Sequence, residues 1–255
     1  MFLLPMNRDR APDHTPVATY GLIAVNSLVW LLLAATGDGN LAVQHFGFRP
    51  AHWTIVTLFA SIFLHSGFFH VLGNMWFLSM FGPKVEERLG PLRYTLIYLL
   101  CGLGATGLYS LFATGSNVPL VGASGAISGV AGLYFVLLPR SPFELILYFG
   151  WIRIKSFRSQ TRGAVGAWIG EQFVLALLNG FVRSNVAFWA HVGGFGVGAA
   201  CAAWIANSAS AAEQEEILHP QPLTEEEKGE IFADTVPKPN QLTSLNLSQQ
   251  NSTDQ

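Results

Sequence analysis

Charge is scarce in this chain. Asp, Glu, Lys and Arg make up 12% of its 255 residues, against about 25% in a typical soluble domain. With 51% of residues apolar, that shortage excludes an ordinary soluble protein and points to one that lives in a bilayer. Nothing in the composition points to nucleic acid. Cysteine is nearly absent: Cys101 and Cys201 both lie in apolar runs and read as small buried hydrophobes that say nothing about redox compartment. No repeat of solenoid period occurs. The helix motif of zinc proteases, two His with an intervening Glu, is missing. So is the α/β-hydrolase elbow, which needs glycine two residues away on both sides of the serine; position 126 here is Ala. Strands are not expected.

What is present is a series of long apolar runs. At roughly 18–20 residues per crossing, the candidates are 18–36, 66–82, 93–113, 124–138, 163–181 and 187–206, the second and fourth being short. The expected fold class is all-α, a polytopic membrane bundle of six transmembrane helices over residues 18–206. Of the 14 Lys and Arg, only Arg49 and Arg183 fall on one set of alternate connections. The rest fall on the other set, which the positive-inside rule makes cytoplasmic together with both termini. A cleaved signal peptide is the alternative for the first run, since Arg8 and Arg10 precede it and Leu33-Ala34-Ala35 could mimic a cleavage site. The run is longer than the usual 7–15 apolar residues of such a peptide. No organelle-targeting presequence is apparent, so a bacterial plasma (inner) membrane is the default location.

Outside the runs the character changes. Residues 1–17 read as a cytoplasmic N-terminal segment. Residues 207–255 carry Glu213, Glu215, Glu216, Glu225, Glu226, Glu227 and Glu230, then Asn, Gln and Ser. They read as a disordered acidic cytoplasmic tail, because that composition cannot bury a core. In 142–162, Ile146, Leu147, Phe149 and Trp151 interleave with Arg153, Lys155 and Arg158. This segment reads either as an element lying in the inner interface or as part of a mis-bounded span. Residues 41–64, with Phe46, Phe48, Trp53, Phe59 and Phe63, read as an apolar loop dipping into the outer leaflet.

Polar and ionisable groups inside a bilayer are costly and read as functional by default. Ser124 opens the fourth run within Gly122-Ala123-Ser124-Gly125, His191 lies in the sixth, and His70 and Asn74 lie in the second. Counted from the cytoplasmic boundary at ~1.5 Å per residue, Ser124, His191 and His70 rise ~22, ~24 and ~21 Å. In a hydrocarbon core of ~30 Å, all three sit at one level below the outer surface. The stretch Thr114-Gly115-Ser116-Asn117-Val118-Pro119 is loop chemistry and must descend to reach that level. Such backbone is tolerated only where it is buried in protein or lines a water-filled cavity; the cavity is the favoured option. Gly125, Gly129 and Gly132 on the fourth run and Gly194 and Gly198 on the sixth allow close helix approach, which a Ser–His hydrogen bond requires.

These residue types suit hydrolysis. A serine hydroxyl needs a neighbouring base, and His191 can take its proton and later give it to a leaving amine. No Asp or Glu lies between Val186 and Asn207, nor on the second or fourth run before Pro139 except Glu86 and Glu87 past the second run's end. A Ser–His dyad is expected, its imidazole oriented by backbone or packing, with Glu171 on the fifth run the one acidic candidate for a third member. The helix N-terminus at Ser124 favours negative charge. His70 and Asn74, four apart on one face, can donate to an oxyanion; Gly122 and Gly125 support the serine. His65, His70 and His191 could instead ligate a metal, but none is expected. His65 has no assigned role.

Taken together, His65-Ser66-Gly67-Phe68-Phe69-His70 leading to Asn74, Glu86-Glu87-Arg88-Leu89-Gly90, Gly122-Ala123-Ser124-Gly125 and Ala190-His191-Val192-Gly193-Gly194 resemble the rhomboid family of intramembrane serine proteases. The resemblance covers about residues 50–205. It implies a six-helix core with Ser124 as nucleophile, His191 as general base, and His70 and Asn74 at the oxyanion-stabilising positions. It also implies single-span transmembrane protein substrates cut near the outer face, and no cofactor. Glu86 and Arg88 would be structural. Two departures are visible. Some members carry an aromatic residue one turn after the nucleophile, packed on the catalytic His; here it is Ser128. The Trp-Arg pair of some first loops is absent, since Thr54 follows Trp53. The competing readings are a non-proteolytic membrane protein that binds transmembrane helices in quality control, and a small transporter or metal-ion channel. The oligomeric state is not legible.

Overall fold

The computed structural model describes residues 2–7, 11–149, 152–178 and 187–208. Six helices match the six apolar runs: α1 (Val17–Thr36), α4 (Phe68–Leu89), α5 (Pro91–Phe112), α6 (Ser124–Leu137), α7 (Thr161–Leu178) and α8 (Phe188–Ser208). Between α1 and α4 lie α2 (Gly39–Phe46), α3 (Ile55–Ala60) and a 3-10 turn, Ser61–Phe63. The 41–64 segment is therefore helical in two places rather than a plain loop. Thr54 caps α3, accepting the Thr57 N–H at 3.1 Å, a local signal of a helix start.

By length and apolar character α1, α5 and α8 can each cross a membrane, and the Ile55–Phe63 segment meets the same criterion only together with α4, as a pair bent by 85°. The protein is a polytopic helical membrane protein. α6 is the shortest of the six and sits in the middle, packed against α4, α5, α7 and α8, with eleven of its 14 residues buried. At ~1.5 Å per residue it is ~21 Å long, less than the ~30 Å hydrocarbon core. A buried central helix has no lipid to match, so it can stop short and let non-helical chain enter the bundle. α1 behaves oppositely: Val25, Leu28, Leu31 and Leu32 stay exposed, as expected of a helix facing hydrocarbon.

Glycines set the α6–α8 distance. A Cβ on Gly194 would collide with the backbone of Gly125, and one on Gly198 with the backbone of Gly129. The two backbones are in contact, so only hydrogen fits between them. α4 and α5 meet at Gly90, whose φ of 75° suits glycine; Pro91 then opens α5, where its missing N–H costs nothing.

The start of α1 is capped from another helix. Pro16 offers no capping side chain. Instead Glu86 of α4, 4% exposed, accepts from the N–H groups of Ala18 (2.8 Å) and Thr19 (2.7 Å) and from the Thr19 hydroxyl (2.7 Å). A carboxylate at a helix N-terminus satisfies orphan donors and favours the dipole.

The structure corrects the expectation of no strands. β1 (Phe2–Asn7), β2 (Pro142–Phe149) and β3 (Ile152–Gln160) form an antiparallel sheet in the order β1-β2-β3, with Leu4 opposite Ile146 and Leu145 opposite Phe157. Residues 142–149 and 152–160 are thus paired strands and not a piece of a helical span. Phe143 stacks on Phe81 at 6.1 Å, and buried Glu144 pairs with Arg153 at 2.7 Å. The sheet caps the end of the bundle remote from Ser124. The expected acidic tail falls on 209–255, outside the described residues.

Candidate active site

Ser124, His70 and His191 all lie at the starts of their helices: Ser124 opens α6, and His70 and His191 are within the first turns of α4 and α8. The Ser124 Oγ is 3.0 Å from the His191 Nε2. A cavity of about 340 Å³ is lined by Ser124, His191, His70 and Asn74 together, along with Phe77 and Trp168.

The chain before Ser124 is held by other protein segments. Phe48 and Leu120 exchange backbone hydrogen bonds at 3.0 and 2.7 Å, the Ala51 N–H donates to the Ser116 carbonyl at 3.1 Å, and the Arg49 Nε donates to the Asn117 carbonyl at 2.9 Å. The first connection and the 114–121 segment therefore satisfy each other's backbone, which removes the cost of irregular chain at depth. Closer to the serine, the Gly122 N–H donates to the Ser61 carbonyl at 2.9 Å. Ile127 is the first residue of α6 to bond back, to Ala123, so the N–H groups of Ser124, Gly125 and Ala126 precede the helical ladder.

His70 and Asn74 converge on Gly122. A Cβ there would be 2.7 Å from the His70 Nε2 and 3.7 Å from the Asn74 Nδ2. Gly122 also has φ of 123°, so both space and backbone demand glycine. The Ser66 backbone N–H faces the His70 Nδ1 at 3.4 Å, and the Ser66 hydroxyl lies 3.0 Å from it. A backbone N–H can only donate, so Nδ1 is the acceptor and the ring proton sits on Nε2, aimed at the Gly122 side. The Asn74 Nδ2 is buried without a hydrogen-bond partner among the described residues. An unpaired buried donor is free to bind a group entering the cavity.

His191 has a partner that sequence reasoning does not find. Its Nδ1 is 2.7 Å from the Oε1 of Gln172 on α7, and Gln172 is 7% exposed. The expectation that only backbone or packing orients the ring is corrected. Glu171, the acidic candidate for a third member, is exposed and borders a different cavity, of about 430 Å³, with Phe81, Phe143 and Trp168. Ser128, at the position where some rhomboids carry an aromatic, donates its hydroxyl to the Ser124 carbonyl at 2.7 Å. Trp168 of α7 lies beside the imidazole instead, ring centroids 6.2 Å apart. His65 is buried against His70, centroids 5.1 Å apart, and does not touch the Ser124–His191 pair.

The Rhomboid domain family model matches residues 52–208, a stretch that contains all four site residues. The candidate rhomboid protease YdcA of Bacillus subtilis is 28% identical over 190 residues, 70% of this chain and 83% of that protein. RHOMBOID-like protein 1 of Arabidopsis thaliana is 44% identical over 75 residues, 29% of this chain and 19% of that one. The mitochondrial presenilin-associated rhomboid-like protein of Homo sapiens is 29% identical over 129 residues, 49% of this chain and 34% of that one. The chain thus spans well under half of the plant and human relatives.

Proposed function

The chain belongs to the rhomboid family, and from that premise we propose that it is an intramembrane serine endopeptidase acting through a Ser124–His191 dyad on transmembrane segments of single-span membrane proteins. The carrying observation is the 3.0 Å approach of the Ser124 Oγ to the His191 Nε2 in a cavity that His70 and Asn74 also line. His191 takes the hydroxyl proton as Oγ attacks the scissile carbonyl carbon. The carbonyl π electrons move to oxygen, and the oxyanion is met by the His70 Nε2–H, the Asn74 amide and the N–H groups at the start of α6. Collapse breaks the C–N bond, and the imidazolium gives its proton to the leaving amine. Water, deprotonated by His191, then hydrolyses the acyl-enzyme. Every step uses this chain's own side chains and water.

In this reading, cleavage occurs near the outer face, the sheet end of the bundle and both termini are cytoplasmic, and the membrane is a bacterial plasma membrane. Residues 18–206 are the membrane unit and 207–255 a tail. The test is reconstitution with a single-span substrate. Ser124→Ala and His191→Ala should each abolish cutting, and a fluorophosphonate should label wild-type Ser124 alone. A Ser124→Ala protein that cuts at the wild-type rate refutes the nucleophile. A wild-type protein that resists the probe and leaves substrates intact while retaining them favours the helix-binding alternative.

A further inference from the structure

We infer that Gln172 is the positioning residue of the dyad: its side-chain carbonyl fixes the His191 tautomer and makes α7 part of the catalytic apparatus. The inference rests on the Ser–His reading above. A neutral imidazole has one N–H and one bare nitrogen, and which is which follows from the partners it is given. The Gln172 Oε1, 2.7 Å from Nδ1, can only accept, so the ring proton belongs on Nδ1. Nε2 is then left with its lone pair 3.0 Å from the Ser124 hydroxyl, the arrangement a general base needs. With the tautomer reversed, Nε2–H would point at Oγ and no proton could be taken.

Three further observations support an orienting role. Gln172 is buried at 7% exposure, so its carbonyl is held close to the imidazole rather than turned to bulk solvent. Trp168 stands one helical turn before it on α7, its ring 6.2 Å from the imidazole, so α7 offers His191 a ring wall and a hydrogen-bond acceptor from one face. And α6 offers no wall of its own, because Ser128 is turned back to the Ser124 carbonyl. An amide also suits the setting. A carboxylate at this depth would need its own charge partner, whereas a neutral carbonyl accepts the Nδ1–H and keeps the bond when the ring becomes imidazolium. The bland alternative is a polar residue that merely bridges two membrane helices.

The experiment separates the two. Gln172→Met keeps the shape and removes the acceptor; Gln172→Leu is a second acceptor-free variant. For a metal-bound histidine, losing the partner of its other ring nitrogen typically costs ~10–100-fold in affinity or activity, and a serine-bound imidazole depends on its partner in the same way. Met and Leu variants should therefore lose ~10–100-fold in kcat with KM unchanged, and fluorophosphonate labelling of Ser124 should slow by the same factor. Acceptor-free variants with kcat within ~10-fold of wild type overturn the inference. So does a loss carried by KM with kcat unchanged, or one that fluorophosphonate labelling does not share, which would mark simple packing. A Ser124→Ala control run alongside keeps the claims apart: its inactivity with full activity in Gln172→Met sinks the Gln172 role alone, and its activity sinks the dyad itself.

Discussion

Replacing Gly194 by Ala tests whether helix contact sets the catalytic distance. A Cβ at Gly194 would fall inside the Gly125 carbonyl group, 2.8 Å from its carbon and 3.4 Å from the Gly125 Cα. The obstacle is backbone, not a flexible side-chain end, so the helices must part. Restoring carbon contacts to the ~3.5–4.0 Å optimum needs a separation of ~1 Å. Gly125 follows Ser124 directly and Gly194 lies one turn after His191, so that displacement passes to the 3.0 Å Ser124–His191 hydrogen bond. A misplacement of ~1 Å can cost ~100-fold in rate, or ~2.7 kcal/mol of barrier.

Stability should move as well. Overpacking costs ~1–3 kcal/mol, but Ala gains ~1 kcal/mol over Gly in a helix interior. A Cβ added to Gly196, on the same helix, would meet nothing within 4 Å, so Gly196→Ala supplies the propensity change without the collision. Initial cleavage rates in proteoliposomes and thermal midpoints in detergent should be measured for both. Gly194→Ala is expected to cut ~100-fold more slowly than Gly196→Ala and, because the propensity gain is common to both, to melt lower by the ~1–3 kcal/mol of overpacking, roughly 2–12 °C. Equal cleavage rates in the two variants would refute the argument that the α6–α8 contact holds the dyad together.

Other outcomes follow from the same geometry. Asn74→Ala should lower kcat by ~100–1,000-fold with little change in KM, the usual loss of one oxyanion donor, read by steady-state cleavage. Gly122→Ala meets both the His70 Nε2 and an unfavourable φ of 123°; strain of ~1–3 kcal/mol, relieved by displacing the His70 donor, should slow fluorophosphonate labelling by about 5–150-fold. Glu86→Ala removes the cap on α1 and leaves two buried N–H groups unpaired. At ~1.5–3 kcal/mol per charged hydrogen bond, the thermal midpoint should fall clearly. Cleavage at low temperature should survive, because Glu86 sits ~24 Å along α4 from His70.

The six apolar runs are readable because hydrophobic length is a local property: α1, α5, α6, α7 and α8 follow them within about three residues, while α4 continues to Leu89, past the end of its run at 82. The glycine faces of α6 and α8 are readable for the same reason: spacing along one helix gives the face. The sheet is not. β1 joins β2 across some 140 residues of chain, and no local pattern announces such a partner. The alternation Ile152, Arg153, Ile154, Lys155 is present, but such interleaving suits the lipid interface equally well. The first connection differs from expectation in a milder way, since the Thr54 cap is a recognisable helix start once α3 is known.

Gln172 shows where sequence reading loses its grip on a site assembled between helices. The fifth run does supply a third residue, but a carboxylate is the usual partner of a catalytic imidazole, and that chemistry selects Glu171. Adjacent residues on a helix differ by ~100° in direction. That rotation sends Glu171 to the rim of the cavity bordered by Phe81 and Phe143 and Gln172 to the His191 ring. The amphipathic pattern of α7 is too weak to fix its rotation, because exposed Phe173, Val174 and Leu177 are as apolar as the residues facing inward. In water the exposed face would be polar and would reveal the phase. Next to lipid both faces are apolar, so the phase of α7 is set by what it touches. A polar residue of either kind at 171 or 172 is legible as functional; only contact with α8 decides which one holds the imidazole.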